Sequence, residues 1–270
     1  MIKAIFCDWN RTIFEDEYEY VFFNSYAKQE ALRYLTQLNF LKVFSIIKAK
    51  YRCEEIFFTH KAQSKHKSRD ITRIVQILNE MVIRGTPASL LEQYTNYYAE
   101  DGASRLDKRI LNPLRSLRSS KGIILGIISS GYVCGIHKIL KKAGYKFDFV
   151  KANDFETESE HTVKFRLDIL DNKETILSTF LAEHGIKSSE VIYIGDDKQD
   201  EGCLRMVEYP IVSFMANEED KKRFQREFHA FAPKNGDDFA NYLYDLVNQG
   251  DPCYGSACKR RVGDTNGEVA

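Results

Sequence analysis

Four polar segments of this chain hold residue types that can do chemistry together: Asp8-Trp9-Asn10-Arg11-Thr12, Ser129-Ser130-Gly131, Lys173, and Gly195-Asp196-Asp197-Lys198-Gln199-Asp200. Several carboxylates gathered at one place repel each other unless a hard cation joins them, and carboxylate oxygens suit Mg²⁺. Such an ion keeps waters and takes one or two carboxylates plus an oxygen of a phosphorylated ligand. Ser129, Ser130 and Lys173 would then hold the remaining phosphate oxygens, with Lys173 offsetting negative charge that shifts during transfer. Asp8 would be left to attack phosphorus, since carboxylates serve as covalent nucleophiles toward phosphate.

The elements that must bring these segments together are readable from hydrophobic runs. Residues 2–7, 123–128, 191–194 and 210–214 are short apolar runs and predict buried strands. Residues 107–119, 132–143 and 173–185 show helical spacing, so strand alternates with helix, as in a parallel sheet covered on both faces. In such open sheets ligands bind beyond the carboxyl ends of the strands, where the polar segments fall. Between Glu15 and Ala103 the alternation stops. Residues 30–52 predict one amphipathic helix or a pair. Residues 71–84 predict another with Asp70 as N-cap, and residues 86–98 a third with Thr86 as cap and Pro87 at its first position. The expected organisation is an α/β core of residues 1–14 and 105–247, a helical insert of 15–104, and a mobile tail of 248–270. Cys253 and Cys258 in that tail have no second ligand pair nearby for zinc.

Composition narrows the class. The 270 residues carry 39 Lys+Arg and 39 Asp+Glu, a balance unsuited to coating nucleic acid. No apolar run is long enough to span a bilayer and the N-terminal segment lacks signal-peptide features, so neither nucleic acid nor membrane is an expected partner. Six scattered cysteines suit a reducing cytoplasm.

The motifs DWNRT, IISSG, DNKETIL and IGDDKQD resemble those of the haloacid dehalogenase (HAD) superfamily, which run Asp-x-Asp-x-Thr, then Ser or Thr, then Lys, then Gly-Asp-x-x-x-Asp. The insert after the first motif resembles a helical C1-type cap, and VKANDFE resembles the phosphoserine-phosphatase-like branch. The resemblance implies a Rossmann-like core and a Mg²⁺-dependent phosphatase acting on a small phosphorylated metabolite through an aspartyl-phosphate. It implies Asp8 as nucleophile and metal ligand, the Asn10 carbonyl as a second ligand, Asp196 as a direct ligand, and Asp200 as a ligand directly or through water. Ser129, Ser130 and Lys173 would hold phosphate, and Asp197 would support the loop. Glu17 stands at the offset of a cap glutamate that reads a substrate amine, and Arg11 replaces a usual glycine and is a second candidate for substrate contact.

One departure bears on activity. The family's phosphatases place a general acid/base Asp two residues after the nucleophile, and here that residue is Asn10. An amide has no proton that titrates near neutral pH. The readings left open are a slow phosphatase, one that recruits Glu15, Asp16 or Glu17, one whose substrate has a leaving group that needs no proton, a phospholigand-binding protein, or a phosphonatase or dehalogenase. The branch's carboxylate-reading cap arginine is expected near Asn79, where no arginine stands; Arg73 and Arg84 flank the place.

Overall fold

The computed structural model describes residues 1–15, 18–60 and 67–248. Glu17, Asp16, Cys253 and Cys258 lie outside the described residues.

The six strands are β1 (Ala4–Cys7), β2 (Ile124–Tyr132), β3 (Phe149–Glu158), β4 (His161–Arg166), β5 (Val191–Gly195) and β6 (Tyr209–Val212). They form one sheet in the order β4-β3-β2-β1-β5-β6, parallel throughout except for the antiparallel β3–β4 hairpin. The chain winds outward from β1 through β2 and β3, then crosses back to β5 and β6. The strand order therefore reverses beside β1, and the crevice of this sheet opens at the carboxyl ends of β1 and β5.

Alternation along each strand makes both faces apolar. Ile5, Cys7, Leu125, Ile127, Ile192 and Ile194 belong to one buried cluster. Ala4, Phe6, Ile128, Val191 and Tyr193 belong to the other, under α7 (Lys173–His184), α8 (Glu201–Met206) and α9 (Glu218–Phe228). The first face is covered by α5 (Lys108–Lys121), α6 (Val133–Ala143) and α10 (Gly236–Asn248). Gly126 has to be glycine, because a Cβ there would run into the Phe6 ring.

Every described element between β1 and β2 is helical: α1 (Tyr18–Thr36), α2 (Phe40–His60), α3 (Lys67–Leu78) with a π turn at Asn79–Ile83, α4 (Ala88–Gly102), a short 3₁₀ turn and α5. The stretch 30–52 is thus a helical pair. An aromatic cluster ties α1 to the sheet: Phe22 meets Tyr132 at 5.3 Å, Phe23 meets Phe165 at 5.2 Å, and Phe155 stands between Tyr132 and Phe165 at 4.9 Å from each. Residues 85–88 run beside the hairpin's outer strand, with Gly85 N–H donating to the Thr162 carbonyl at 2.8 Å and Thr162 N–H to the Thr86 carbonyl at 2.7 Å.

Some local expectations need correction. Asp70 is not the cap of α3, which starts earlier and takes Asp70 into its first turn. Thr86 does not cap α4; Pro87 holds the cap position, and the Thr86 hydroxyl donates to buried Glu30 at 3.3 Å. Ser129, Ser130 and Gly131 do not follow β2 as a loop, because the strand runs through them to Tyr132. β3 and β4 have no counterpart among the expected strands.

Candidate active site

The site grows from the register of three parallel strands. Cys7 lies opposite Ile127 on one side and Ile194 on the other, so the residues after β1 and β5 come level with the Ile128–Ser130 stretch inside β2. Asp8 leaves β1 with its N–H donating to the Ile194 carbonyl at 2.9 Å, and its side chain is buried. The next residues turn tightly: the N–H groups of Ile13 and Phe14 both donate to the Trp9 carbonyl, at 3.0 and 2.8 Å. Trp9 is fully buried and stacks on Phe14 at 5.5 Å, which anchors the turn that carries Asn10. Arg11 takes a left-handed φ of 50°. Its carbonyl accepts from Ser213 Oγ at 2.8 Å, its guanidinium donates to the Met215 carbonyl at 3.0 Å, and its Nε stands 3.8 Å from Asp196 Oδ2.

Across from Asp8, α7 begins with Lys173, which is 3% exposed. Its Nζ lies 2.8 Å from Asp8 Oδ1 and 2.8 Å from Asp200 Oδ1. Asp200 is held from several sides: Tyr193 O–H donates to Oδ1 at 2.8 Å, and the Asp196 N–H donates to Oδ2 at 3.0 Å. Asp197 accepts from the Gln199 N–H at 2.8 Å and so caps the turn that brings Asp200 back. Gly195 permits this return, since a Cβ there would stand 2.6 Å from the Asp200 carboxylate.

The phosphate-binding candidates lie on the neighbouring strand. Ser129 is fully buried, and its Oγ accepts from the Gly131 N–H at 3.0 Å. The Ser130 carbonyl accepts from Asn153 Nδ2 at 2.6 Å, while Asn153 Oδ1 accepts from the Ile169 N–H at 2.9 Å. Asn153 therefore ties β3, the end of β2 and the approach to α7 together.

Asp8, Asp196 and Asp200 are all buried, with one candidate ligand atom from each lying within 4.8 Å of the others. Three buried carboxylates face the Lys173 ammonium and, at 3.8 Å from Asp196, the partly exposed Arg11 guanidinium, so the ionised set keeps a negative charge that a divalent cation would offset. Mg²⁺ bonded at about 2.1 Å puts two ligands at most about 4.2 Å apart, so the set fits once one carboxylate closes in or reaches through water. Burial pushes the Asp8 carboxyl up to about 7, against the pull of Lys173 and with the help of Asp200. Burial presses the Lys173 ammonium downward, but Asp200 and Asp8 outweigh it and hold its pKa well above the ordinary value. Burial, then Asp200, keeps the Tyr193 phenol protonated as a donor.

The structure thus brings Asp8, Lys173, Asp196 and Asp200 into direct contact or near contact and sets Asn10 and Ser129-Ser130 on adjoining strand ends. Arg11 spends its guanidinium on the core loop at Met215. Glu15 is exposed. Tyr193 and Asn153 escaped the sequence reading: Tyr193 looks like one more apolar strand residue, and the partners of Asn153 are mostly backbone atoms with no side-chain signature.

A cavity of about 90 Å³ adjoins Ser130. Its walls are largely apolar, among them Phe23, Ala27, Cys53, Val75 and Leu78 from α1–α3, with Phe165 from β4. Asn79 does not enter it as a ligand-reading group but is spent on β4, donating to the Phe165 carbonyl at 3.1 Å and accepting from the Phe165 N–H at 2.7 Å.

Comparison with known proteins places this arrangement. The family model of haloacid dehalogenase-like hydrolases matches residues 5–205. A phosphoserine phosphatase of Streptococcus thermophilus is 33% identical over 131 residues, which are 46% of this chain and 56% of that protein. The match thus spans little more than half of the relative's length. Among solved structures, a substrate-bound phosphoserine phosphatase complex superposes with a TM-score of 0.58 at 16% identity, covering 90% of this chain and 98% of the other. A protein of unknown function from Bordetella pertussis Tohama I gives a TM-score of 0.65 at 12% identity, covering 86% and 98%. The chain belongs to the haloacid dehalogenase-like hydrolases.

Proposed function

We propose, from that membership, that the protein is a Mg²⁺-dependent phosphatase that cleaves a small phosphomonoester through an aspartyl-phosphate on Asp8. The observation that carries this reading is the buried set of Asp8, Asp196 and Asp200 with Lys173 between two of them, at the point where the strand order reverses. Asp8, Asp196, Asp200 and the Asn10 carbonyl would hold the ion, which when bound offsets phosphate charge and favours ionised Asp8. Ser129, Ser130 and Lys173 hold the phosphate oxygens. An Asp8 oxygen attacks phosphorus, the ester P–O bond breaks, and its electron pair leaves on the alcohol oxygen. Water then cleaves the acyl phosphate and frees Asp8 and inorganic phosphate.

Residues 15–104 act as the cap over a core of 1–14 and 105–247, and the leaving group faces the apolar cavity beside Ser130. That cavity offers a leaving group a largely apolar wall with Asn24, Lys50 and Glu54 among its polar and charged members, while Asn79 is engaged on the β4 backbone. A cytoplasmic location suits the thiols and the substrate class.

Asn10 supports a second reading, a protein that binds the phosphorylated ligand or forms the acyl phosphate and turns it over slowly. Rapid-mixing release of p-nitrophenol from p-nitrophenyl phosphate with Mg²⁺ separates the two, because this leaving group departs without a proton. The phosphatase reading expects release that disappears with EDTA and with Asp8→Ala. A burst followed by slow turnover assigns the slow step to hydrolysis of the phosphoenzyme, and no release from the native chain overturns the reading.

A further inference from the structure

The described residues carry their largest group of exposed apolar side chains on the hairpin of α1 and α2. Leu32, Leu35, Leu38, Phe40, Leu41, Phe44, Ile47 and Tyr51 are all exposed, with Leu41 at 86%, Leu38 at 73% and Tyr51 at 72%. Phe40, Phe44, Ile47 and Tyr51 recur at the i, i+4, i+7, i+11 spacing of one helix face. That is not the face that packs on the molecule, which is formed by Ile46, Ala49, Cys53 and Ile56. α2 is therefore apolar on both sides, and a contiguous outer patch of this kind marks a surface that something covers.

The turn between the helices supports an outward role. Leu38 holds a left-handed φ of 55°, a conformation that helix ends normally give to Gly or Asn. The turn is well made, with the Asn39 N–H donating to the Tyr34 carbonyl at 2.9 Å, so the leucine is held at the apex and faces water.

Charge decides the occupant. From Ala31 to Cys53 the sequence has five cations and no carboxylate, with Glu54 and Glu55 next on α2. Arg33 is bonded to buried Glu30 and Lys50 pairs with Glu54 at 3.7 Å, so the charge of the patch rests on Lys42, Lys48 and Arg52. At helical spacing Lys48 and Arg52 flank one side of the aromatic stripe and Lys50 the other, and all three are exposed. An apolar stripe edged by lysine and arginine is the arrangement of helices that lie in a membrane interface, where cations meet lipid phosphates and apolar side chains sink to the acyl boundary. A second copy fits less well, because a two-fold contact would set this cationic face against itself. No helix among the described residues is long and apolar enough to cross a membrane, and an interfacial hairpin does not need one.

We propose that the α1–α2 hairpin docks the protein on an anionic lipid surface, with Leu38, Leu41 and Phe44 inserted at the level of the headgroups. This rests on surface composition alone and stands whether or not the chain is a phosphatase. The test is flotation of the full chain with vesicles of phosphatidylcholine alone and with one-third phosphatidylglycerol. The expected result is binding to the anionic vesicles that weakens as salt rises. It should fall at least about tenfold in Phe44→Asp and in the double variant Lys48→Glu, Arg52→Glu, with an unchanged melting temperature in each. The proposal is overturned if the native chain ignores anionic vesicles at low salt, binds neutral ones equally, or binds unchanged after Phe44→Asp. It is also overturned if sedimentation shows a dimer that Phe44→Asp splits while vesicles go unbound, which would assign the patch to a second copy.

Discussion

Lys173, itself buried, touches the carboxylates of Asp8 and Asp200 at 2.8 Å, and that contact bears on what Asp8 can do. The ammonium stays charged because Asp200 and Asp8 outweigh its burial. In the proposed mechanism it would steady the Asp8 carboxylate for attack on phosphorus, a step that does not need Asn10. On the same proposal, what Asn10 would remove is the later proton transfer, when water is activated against the acyl phosphate. Restoring the carboxyl by Asn10→Asp should raise steady turnover of p-nitrophenyl phosphate by roughly 10²- to 10⁴-fold and erase any burst. The check is the same rapid-mixing trace for both proteins. An unchanged steady rate would mean that another group already supplies the base, with Glu15, Asp16 and Glu17 the first to be replaced.

At the scale of elements, the helices 18–102 are held to the sheet by apolar contacts and by hydrogen bonds of Gly85, Thr86 and Asn79 with β4, while a buried polar junction ties α1 to α4 and to the Thr86 turn. Glu30 on α1 is fully buried and accepts from Arg33 at 2.6 and 3.0 Å, from Tyr94 O–H at 3.0 Å and from Thr86 O–H at 3.3 Å. Removing it strands three donors at once. Glu30→Ala should therefore cost about 2–4 kcal/mol, read as a fall of roughly 10 °C in melting temperature. A loss within a degree or two would show that the junction contributes little.

This junction also explains where sequence reasoning stopped. β1, β2, β5 and β6 were legible because strands buried on both faces read as unbroken apolar runs. β3 and β4 were not, because they mix charged and apolar residues and pair beside a hairpin with one open edge. Thr86 carried a local signal for a cap, but its hydroxyl is claimed by Glu30, a partner 56 positions away. Asp8, Lys173, Asp196 and Asp200 were legible since each follows a strand or opens a helix at a fixed spacing. Tyr193 and Asn153 were not, because burial and distant backbone partners give them meaning.

For the whole molecule, the excess negative charge of the site couples folding, pH and the cation. Asp8 has its carboxyl raised from 3.8 to about 7 in the folded, ion-free protein, chiefly by burial. A carboxyl raised in the fold favours the protonated form there. Below the unfolded value Asp8 is protonated in both states, and its contribution is fully present. As pH climbs from about 4 to about 7 the unfolded chain releases the proton while the fold retains it, so stability falls; above that window the loss is complete. The ion-free native protein should thus lose stability across this window relative to Asp8→Asn, by a few kcal/mol at most. If Mg²⁺ binds the site as proposed it should reverse the trend, because it would favour the ionised carboxylate and displace the proton, and at a hundredfold excess over Kd it would add about 2.7 kcal/mol. Denaturant melts of both proteins between pH 4 and 8, with EDTA and with Mg²⁺, test all of this at once. A difference between native and variant that does not change with pH would show that Asp8 is already ionised in the empty site, held so by Lys173. Protection by Mg²⁺ that persists in Asp196→Asn would move the ion elsewhere.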